Sequence, residues 1–98
     1  MTSDAMYKIE FTNRARKKLR KYTKAKTIKP AVFNDVLEHL ENDRVLPKRY
    51  QDHKLQGTLR ELRECHLGFN LLMTYERDEQ VRFIFITDIG THPELFGE

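Results

Sequence analysis

The chain has a single cysteine, Cys65, so it cannot close an intramolecular disulfide. A lone cysteine suits a reducing compartment, and Cys65 reads as a small buried filler rather than a nucleophile. No apolar run approaches the ~18–20 residues needed to cross a bilayer. The start, Met1-Thr2-Ser3-Asp4-Ala5-Met6, is polar and lacks the apolar stretch of a signal peptide. A cytoplasmic protein with no membrane contact is therefore expected. There is no repeat, low-complexity tract or linker. Residues 1–98 are expected to form one domain around one modest core.

Acidic residues are also missing over a long stretch. None occurs from Phe11 to Asn34, while Arg14, Arg16, Lys17, Lys18, Arg20, Lys21, Lys24, Lys26 and Lys29 all lie there. Residues 1–50 hold 13 Lys/Arg against 6 Asp/Glu, and residues 51–98 hold 5 against 9, so a net charge of +3 conceals halves of +7 and −4. A solvated helix normally mixes signs, and this one-sidedness points to a polyanionic partner, nucleic acid or an acidic protein.

Periodicity supplies the fold. Tyr7, Ile9 and Phe11 alternate with Lys8 and Glu10 as in a strand, and Thr12 or Asn13 can then cap a helix. Ala15, Leu19 and Tyr22 give that helix a narrow apolar stripe. A second helix begins near Pro30, carries Val32, Phe33, Val36, Leu37 and Leu40 on its apolar face, and ends near Asn42-Asp43. Residues 44–56 read as a loop. Strands are predicted over 58–67, 70–77 and 80–88, with Gly68 serving the first turn and Arg77-Asp78-Glu79 forming the second. Val81, Phe83, Ile84, Phe85 and Ile86 are apolar on both parities, as expected of a strand covered on both faces. The order β-α-α-β-β-β predicts an α+β fold, two N-terminal helices packed on a mostly antiparallel four-stranded sheet.

The chemistry-bearing residues cluster in the second half. Histidine is the side chain whose ordinary pKa lets it exchange protons near neutral pH. Three of the four histidines fall within the segments D-H-K-L-Q-G (52–57), R-E-C-H (63–66) and G-T-H-P-E-L-F-G (90–97). On a strand, Glu64 and His66 share parity and so share a face, where a carboxylate can orient an imidazole or move a proton itself. Lys54, Arg60, Arg63 and Arg82 are candidate clamps for phosphate charge, and the sequence leaves the choice among them open. A metal site built from His53, His66 and His92 is disfavoured, because no compact ligand spacing or cysteine partner accompanies them. His39 lies outside every segment and reads as a surface or helix-boundary residue.

The ordered set of these segments, with Tyr75 on the strand between them, resembles the RelE/ParE superfamily of bacterial toxins, most closely the YafQ type of messenger-RNA interferase. The resemblance implies an endoribonuclease needing no cofactor and no metal, which cuts translated mRNA in the ribosomal A site. It implies attack of a ribose 2′-oxygen on phosphorus, with His92 as proton donor and His53, His66 and Glu64 as further catalytic residues. Phe96 matches an aromatic near the site. Asn70 and Leu71 replace the Asp-Trp pair of the family pattern, which alters an acid/base or substrate contact at Asn70 and removes a stacking surface at Leu71. The chemistry is expected to survive and codon preference to shift. Substrate contacts are expected from Phe96, Asn70, Arg63, Arg60 and Lys54, and backbone contacts with rRNA and mRNA from Arg14, Lys17, Lys18 and Lys21. The implied partners are the ribosome and a cognate, DinJ-like antitoxin in a heterotetrameric complex. Two other classes compete. A toxin of the same fold that inhibits gyrase by protein contact would not need the histidines, and a non-catalytic RNA-binding module would tolerate loss of His92.

Overall fold

The computed structural model describes residues 6–57 and 62–97. Strand β1 (Lys8–Phe11) leads into helices α1 (Asn13–Lys24) and α2 (Pro30–Glu41). A 3-10 turn (Lys48–Tyr50) precedes the short strand β2 (His53–Lys54). Strands β3 (Arg63–Gly68), β4 (Leu71–Asp78) and β5 (Phe83–Gly90) follow, and helix α3 (His92–Phe96) comes last. The strands form one sheet in the order β1-β5-β4-β3-β2, with β1 parallel to β5 and the other pairings antiparallel. The class is α+β, as the sequence predicts.

Local sequence explains the helix starts. Thr12 caps α1: its hydroxyl accepts from Ala15 N at 3.0 Å and donates to Thr87 O at 2.8 Å, which ties the helix start to β5. Pro30 opens α2 at a position where its missing N–H costs nothing. The 3-10 turn is held to α2 by the Tyr50 hydroxyl, 2.6 Å from Asp35 Oδ2, a bond that keeps the Asp35 carboxyl below its ordinary range.

Three boundaries differ from the sequence reading. The described residues hold five strands rather than four, because β2 lies in the stretch 44–56 read as a loop. Two residues show no alternation to read. The strand predicted over 58–67 is observed as β3, and residues 58–61 lie outside the described residues. Finally, β4 runs through Arg77 and Asp78, so the turn falls at 79–82 and β5 starts three residues late. Asp78 fixes this turn by accepting from Gln80 N at 3.0 Å and Val81 N at 3.3 Å, and Arg82 takes a φ of +60°. Val81 is consequently 56% exposed instead of lying in a strand.

The helices cover one face of the sheet. Ala15, Val36 and Leu40 meet Cys65, Met73, Tyr75, Ile84, Ile86 and Ile89 in a continuous buried cluster. Burial pushes the Cys65 thiol far up, so it stays protonated and acts as the expected filler. The other face is more open. Phe83 and Phe85 are only partly covered there and stack on each other with ring centroids 5.6 Å apart. The apolar run of β5 thus reports full coverage on one face, not two. A bulge at Thr87 interrupts the β4–β5 ladder between the pairs Tyr75–Ile86 and Thr74–Asp88. The Thr87 hydroxyl answers it by lying 2.7 Å from Thr74 Oγ1 and donating to Thr74 O at 3.1 Å.

Candidate active site

The open face carries His53, Glu64 and His66, and His92 follows from one end of it. Cys65 and Leu67 face the core, so their neighbours Glu64 and His66 take the opposite side of β3, as parity predicts. Register places His53 of β2 beside Glu64, and Glu64 beside Thr74 of β4. His53 Nε2 is 3.2 Å from Glu64 Oε1, and His53 Nδ1 is 2.7 Å from Gln51 O. A carbonyl oxygen only accepts, so Nδ1 must carry a hydrogen. Nε2 faces the Glu64 carboxylate at ion-pair distance. Both ring nitrogens of His53 are therefore engaged. Glu64 is 5% exposed, and its second oxygen, Oε2, is buried with no hydrogen-bond partner among the described residues.

His66 and His92 flank the same end of the sheet. His66 pairs with Leu72, Leu72 pairs with Gly90, and His92 follows two residues later at the start of α3. His66 and Gly90 are two strand spacings apart, about 10 Å. Leu72 between them is 5% exposed yet belongs to no part of the helix-side core, so it gives this end of the open face an apolar floor. His92 is exposed, and the rings of His92 and Phe96 lie one helical turn apart with centroids separated by 4.8 Å. Asn70 is exposed in the β3–β4 turn at this same end.

Three of the candidate phosphate clamps, Lys54, Arg63 and Arg82, do not join this group. Arg63 has the parity of Cys65 and lies on the other face, where its guanidinium grips Asp52 (Nη2–Oδ2 2.7 Å, Nε–Oδ1 3.4 Å). The Tyr75 hydroxyl donates to the same Asp52 carboxylate. Lys54 pairs in register with Arg63, and both line a cavity of about 580 Å³ with Leu40, Arg44, Asp52 and Tyr75. Arg82 stands at the far end of β5, roughly 24 Å from Gly90 along the strand. Arg60 lies outside the described residues.

The cations near His92 come instead from α1. Lys18 Nζ is 3.6 Å from Glu94 Oε2, 3.8 Å from Asp88 Oδ1 and 3.3 Å from Ile89 O. Arg14 pairs with Asp88 at 3.0 Å, and Lys21 with Glu94 at 3.4 Å. Three of the four predicted backbone-contact residues are thus already paired within the chain, and Lys17 has no ion-pair partner among the described residues.

Sequence reasoning missed Glu94, Tyr22 and Phe69. Thr91-x-x-Glu94 is a legible capping box, and the structure shows both of its bonds: Thr91 Oγ1 accepts from Glu94 N, and Glu94 Oε1 accepts from Thr91 N at 2.9 Å. The Tyr22 hydroxyl also donates to Glu94 Oε1. That bond comes first, and the Thr91 backbone second, in holding the Glu94 carboxyl down at about 2. Burial first, then the bond to Glu94, pushes Tyr22 up to about 12. Phe69, at the tip of the β3–β4 turn, is 104% exposed, whereas Leu71 is buried in the core at 2%. No periodicity marks an exposed turn aromatic.

A pH dependence of stability follows. Glu94 has a depressed folded pKa, so its contribution is complete above its ordinary value of 4.5 and disappears as pH falls towards 2. Tyr22 is raised, so its contribution is complete below 10 and is lost as pH climbs towards 12. Melting temperatures recorded by circular dichroism are expected to fall more steeply between pH 4.5 and 2 for the wild type than for Glu94→Gln. Parallel curves would show that Glu94 is not the group responsible.

The sequence profile described as the bacterial toxin of type II toxin–antitoxin systems, YafQ, matches residues 7–97. The chain belongs to the YafQ toxin family. Its fold agrees with solved toxins. A metal-bound toxin from Helicobacter pylori is 33% identical with a TM-score of 0.84, over 93% of this chain and all of that one. The YafQ–DinJ toxin–antitoxin complex of Escherichia coli contains a chain that is 25% identical with a TM-score of 0.80, over 94% of this chain and 99% of that one. YafQ from Escherichia coli BL21(DE3), 23% identical, has a TM-score of 0.80 over 93% of this chain and 99% of that one, a likeness of fold. No curated protein matches by sequence. Among the described residues of this YafQ-family toxin, no helix is long and apolar enough to cross a membrane, and no three potential metal ligands cluster.

Proposed function

We propose that this toxin is a ribosome-dependent endoribonuclease that cuts mRNA in the A site by metal-independent acid–base transesterification. The observation that carries this reading is the convergence of His66 and His92 on one end of the open sheet face, beside the His53–Glu64 pair. His66 makes no hydrogen bond among the described residues and is the better placed base, because both nitrogens of His53 are taken. In the reaction the 2′-hydroxyl proton passes to His66 as the 2′-oxygen bonds to phosphorus. The P–O5′ bond then breaks, and His92 gives its proton to the leaving oxygen. The products are a 2′,3′-cyclic phosphate and a 5′-hydroxyl. His53 and Glu64 hold the charge balance beside the base, and Phe96 and Asn70 contact the substrate at the same end. Single-domain organisation and a cytoplasmic location belong to the same reading.

Helix α1 supplies the ribosome contact. Lys17 has no ion-pair partner among the described residues, while Arg14, Lys18 and Lys21 form partly exposed pairs that a phosphate can share. Lys17→Ala is expected to lower the slope of log affinity against log salt for ribosome binding by about 1. An unchanged slope removes Lys17 from the interface. The partner that silences the toxin is an antitoxin with an acidic segment complementary to α1, in a heteromeric complex, as the DinJ–YafQ assembly of Escherichia coli suggests.

The test is primer extension on ribosome-bound mRNA incubated with the pure toxin in EDTA. Discrete cuts at A-site codons, with cyclic-phosphate and 5′-hydroxyl ends, are expected. Intact mRNA under these conditions, from a protein that still arrests growth, would overturn the reading and favour a protein-contact mechanism.

A further inference from the structure

We propose that Glu94, held by Tyr22, is a positioning residue that aims His92; the proposal rests on the reading of His92 as the proton donor. Helix α3 has five residues and none of them is buried. A helix this short is not held by its own hydrogen bonds, so contacts outside it set its direction. The carboxylate of Glu94 is an anchor of this kind. Oε1 accepts from Thr91 N at 2.9 Å and from the Tyr22 hydroxyl, and Oε2 faces Lys21 at 3.4 Å and Lys18 at 3.6 Å. Lys21 is 58% exposed at its side chain and adds little, whereas the Tyr22 bond is charge-assisted and partly buried.

The end of β5 is shaped to receive this carboxylate. A Cβ added at Gly90 would come within 2.8 Å of Glu94 Oε1 and 3.2 Å of Glu94 Cβ. With Glu94 in this position, glycine at 90 leaves room that a Cβ would crowd. The geometry of a helix does the rest. Residues two apart are rotated by roughly 200°, so when Glu94 turns towards α1, His92 turns away from it. Phe96, four residues on, accompanies His92 on that side. The contacts of Glu94, the Tyr22 bond chief among them, therefore set the side of α3 from which His92 projects. A displacement of about 1 Å at a reacting group can lower a rate about 100-fold.

The experiment compares wild type with Glu94→Ala, Glu94→Gln and Tyr22→Phe, with kcat and KM measured on ribosome-bound mRNA and histidine ring resonances recorded by NMR. Glu94→Ala is expected to lower kcat by about 10- to 100-fold with KM unchanged. The His92 resonance should move while those of His53 and His66 stay. Glu94→Gln, whose amide oxygen still accepts from Thr91 N and Tyr22, should recover most of both signals. Tyr22→Phe keeps the packing and should reproduce a smaller version of the loss, so the idea can be tested even where the alanine variant folds poorly. Wild-type kcat in both Glu94→Ala and Tyr22→Phe would overturn it, as would an unmoved His92 resonance. An inert wild type would strike at the nuclease reading alone, since the NMR comparison still reports whether Glu94 orients His92.

Discussion

A His92→Gln toxin is expected to cut ribosome-bound mRNA about 10²- to 10⁴-fold more slowly than wild type while binding ribosomes as well. Glutamine keeps a comparable size and hydrogen-bonding capacity but has no proton to give the departing 5′-oxygen. The fold should not notice the change. His92 is exposed, and α3 buries none of its residues, so stability should move by about 0.5 kcal/mol or less. Primer-extension time courses and thermal melts on the same preparation separate the two effects. Wild-type cleavage by the variant would remove His92 from the chemistry, and a large fall in melting temperature would show that the loss was structural.

The second large effect lies on the opposite face of the sheet. Asp52→Ala is expected to destabilise the protein by about 2–4 kcal/mol, because it strips the partner from two groups at once. Tyr75 is 1% exposed and directs its hydroxyl at Asp52, and the Arg63 side chain is 30% exposed with two nitrogens on the same carboxylate. Burial first, then the bond to Asp52, holds the Tyr75 phenol well above its ordinary range. Against a typical stability of about 5–15 kcal/mol, such a loss should lower the melting temperature by roughly 10 °C or more. Urea titration would measure it directly. Activity should fall as well, since Asp52 adjoins His53 in a strand of only two residues. A variant as stable as wild type would mean that water replaces the carboxylate at no cost.

Much of this fold is legible in the sequence where a rule is local and long enough to repeat. Thr12 and Pro30 mark the two helix starts, and the stripe Ala15, Leu19, Tyr22 is the face that meets the core. Parity alone puts Glu64 and His66 together. Applied as strictly, parity also separates Arg63 from them, and the structure places its charge on the far side of the sheet. The strand β2 and helix α3 are too short to show a period, although the capping box announces the second. What no local rule supplies is register. That His66, Leu72 and Gly90 stand abreast depends on a bulge at Thr87 and an irregularity between His66 and Gly68. The family pattern names the residues, and register decides which of them gather.

The strand order has a consequence for the moment at which the toxin can form. Strand β5 lies inside the sheet, with the first strand on one side and β4 on the other, and among the described strands it comes last along the chain. Until residues 83–90 have emerged, β1 lacks its neighbour among the described strands and the helices lack the part of their surface that Ile84, Ile86 and Ile89 supply. The residue proposed to act on a translating ribosome follows directly after that strand. Vectorial synthesis thus delays assembly of the site until nearly all of the described chain has been made, so a half-made copy has no finished site with which to carry out the proposed cleavage.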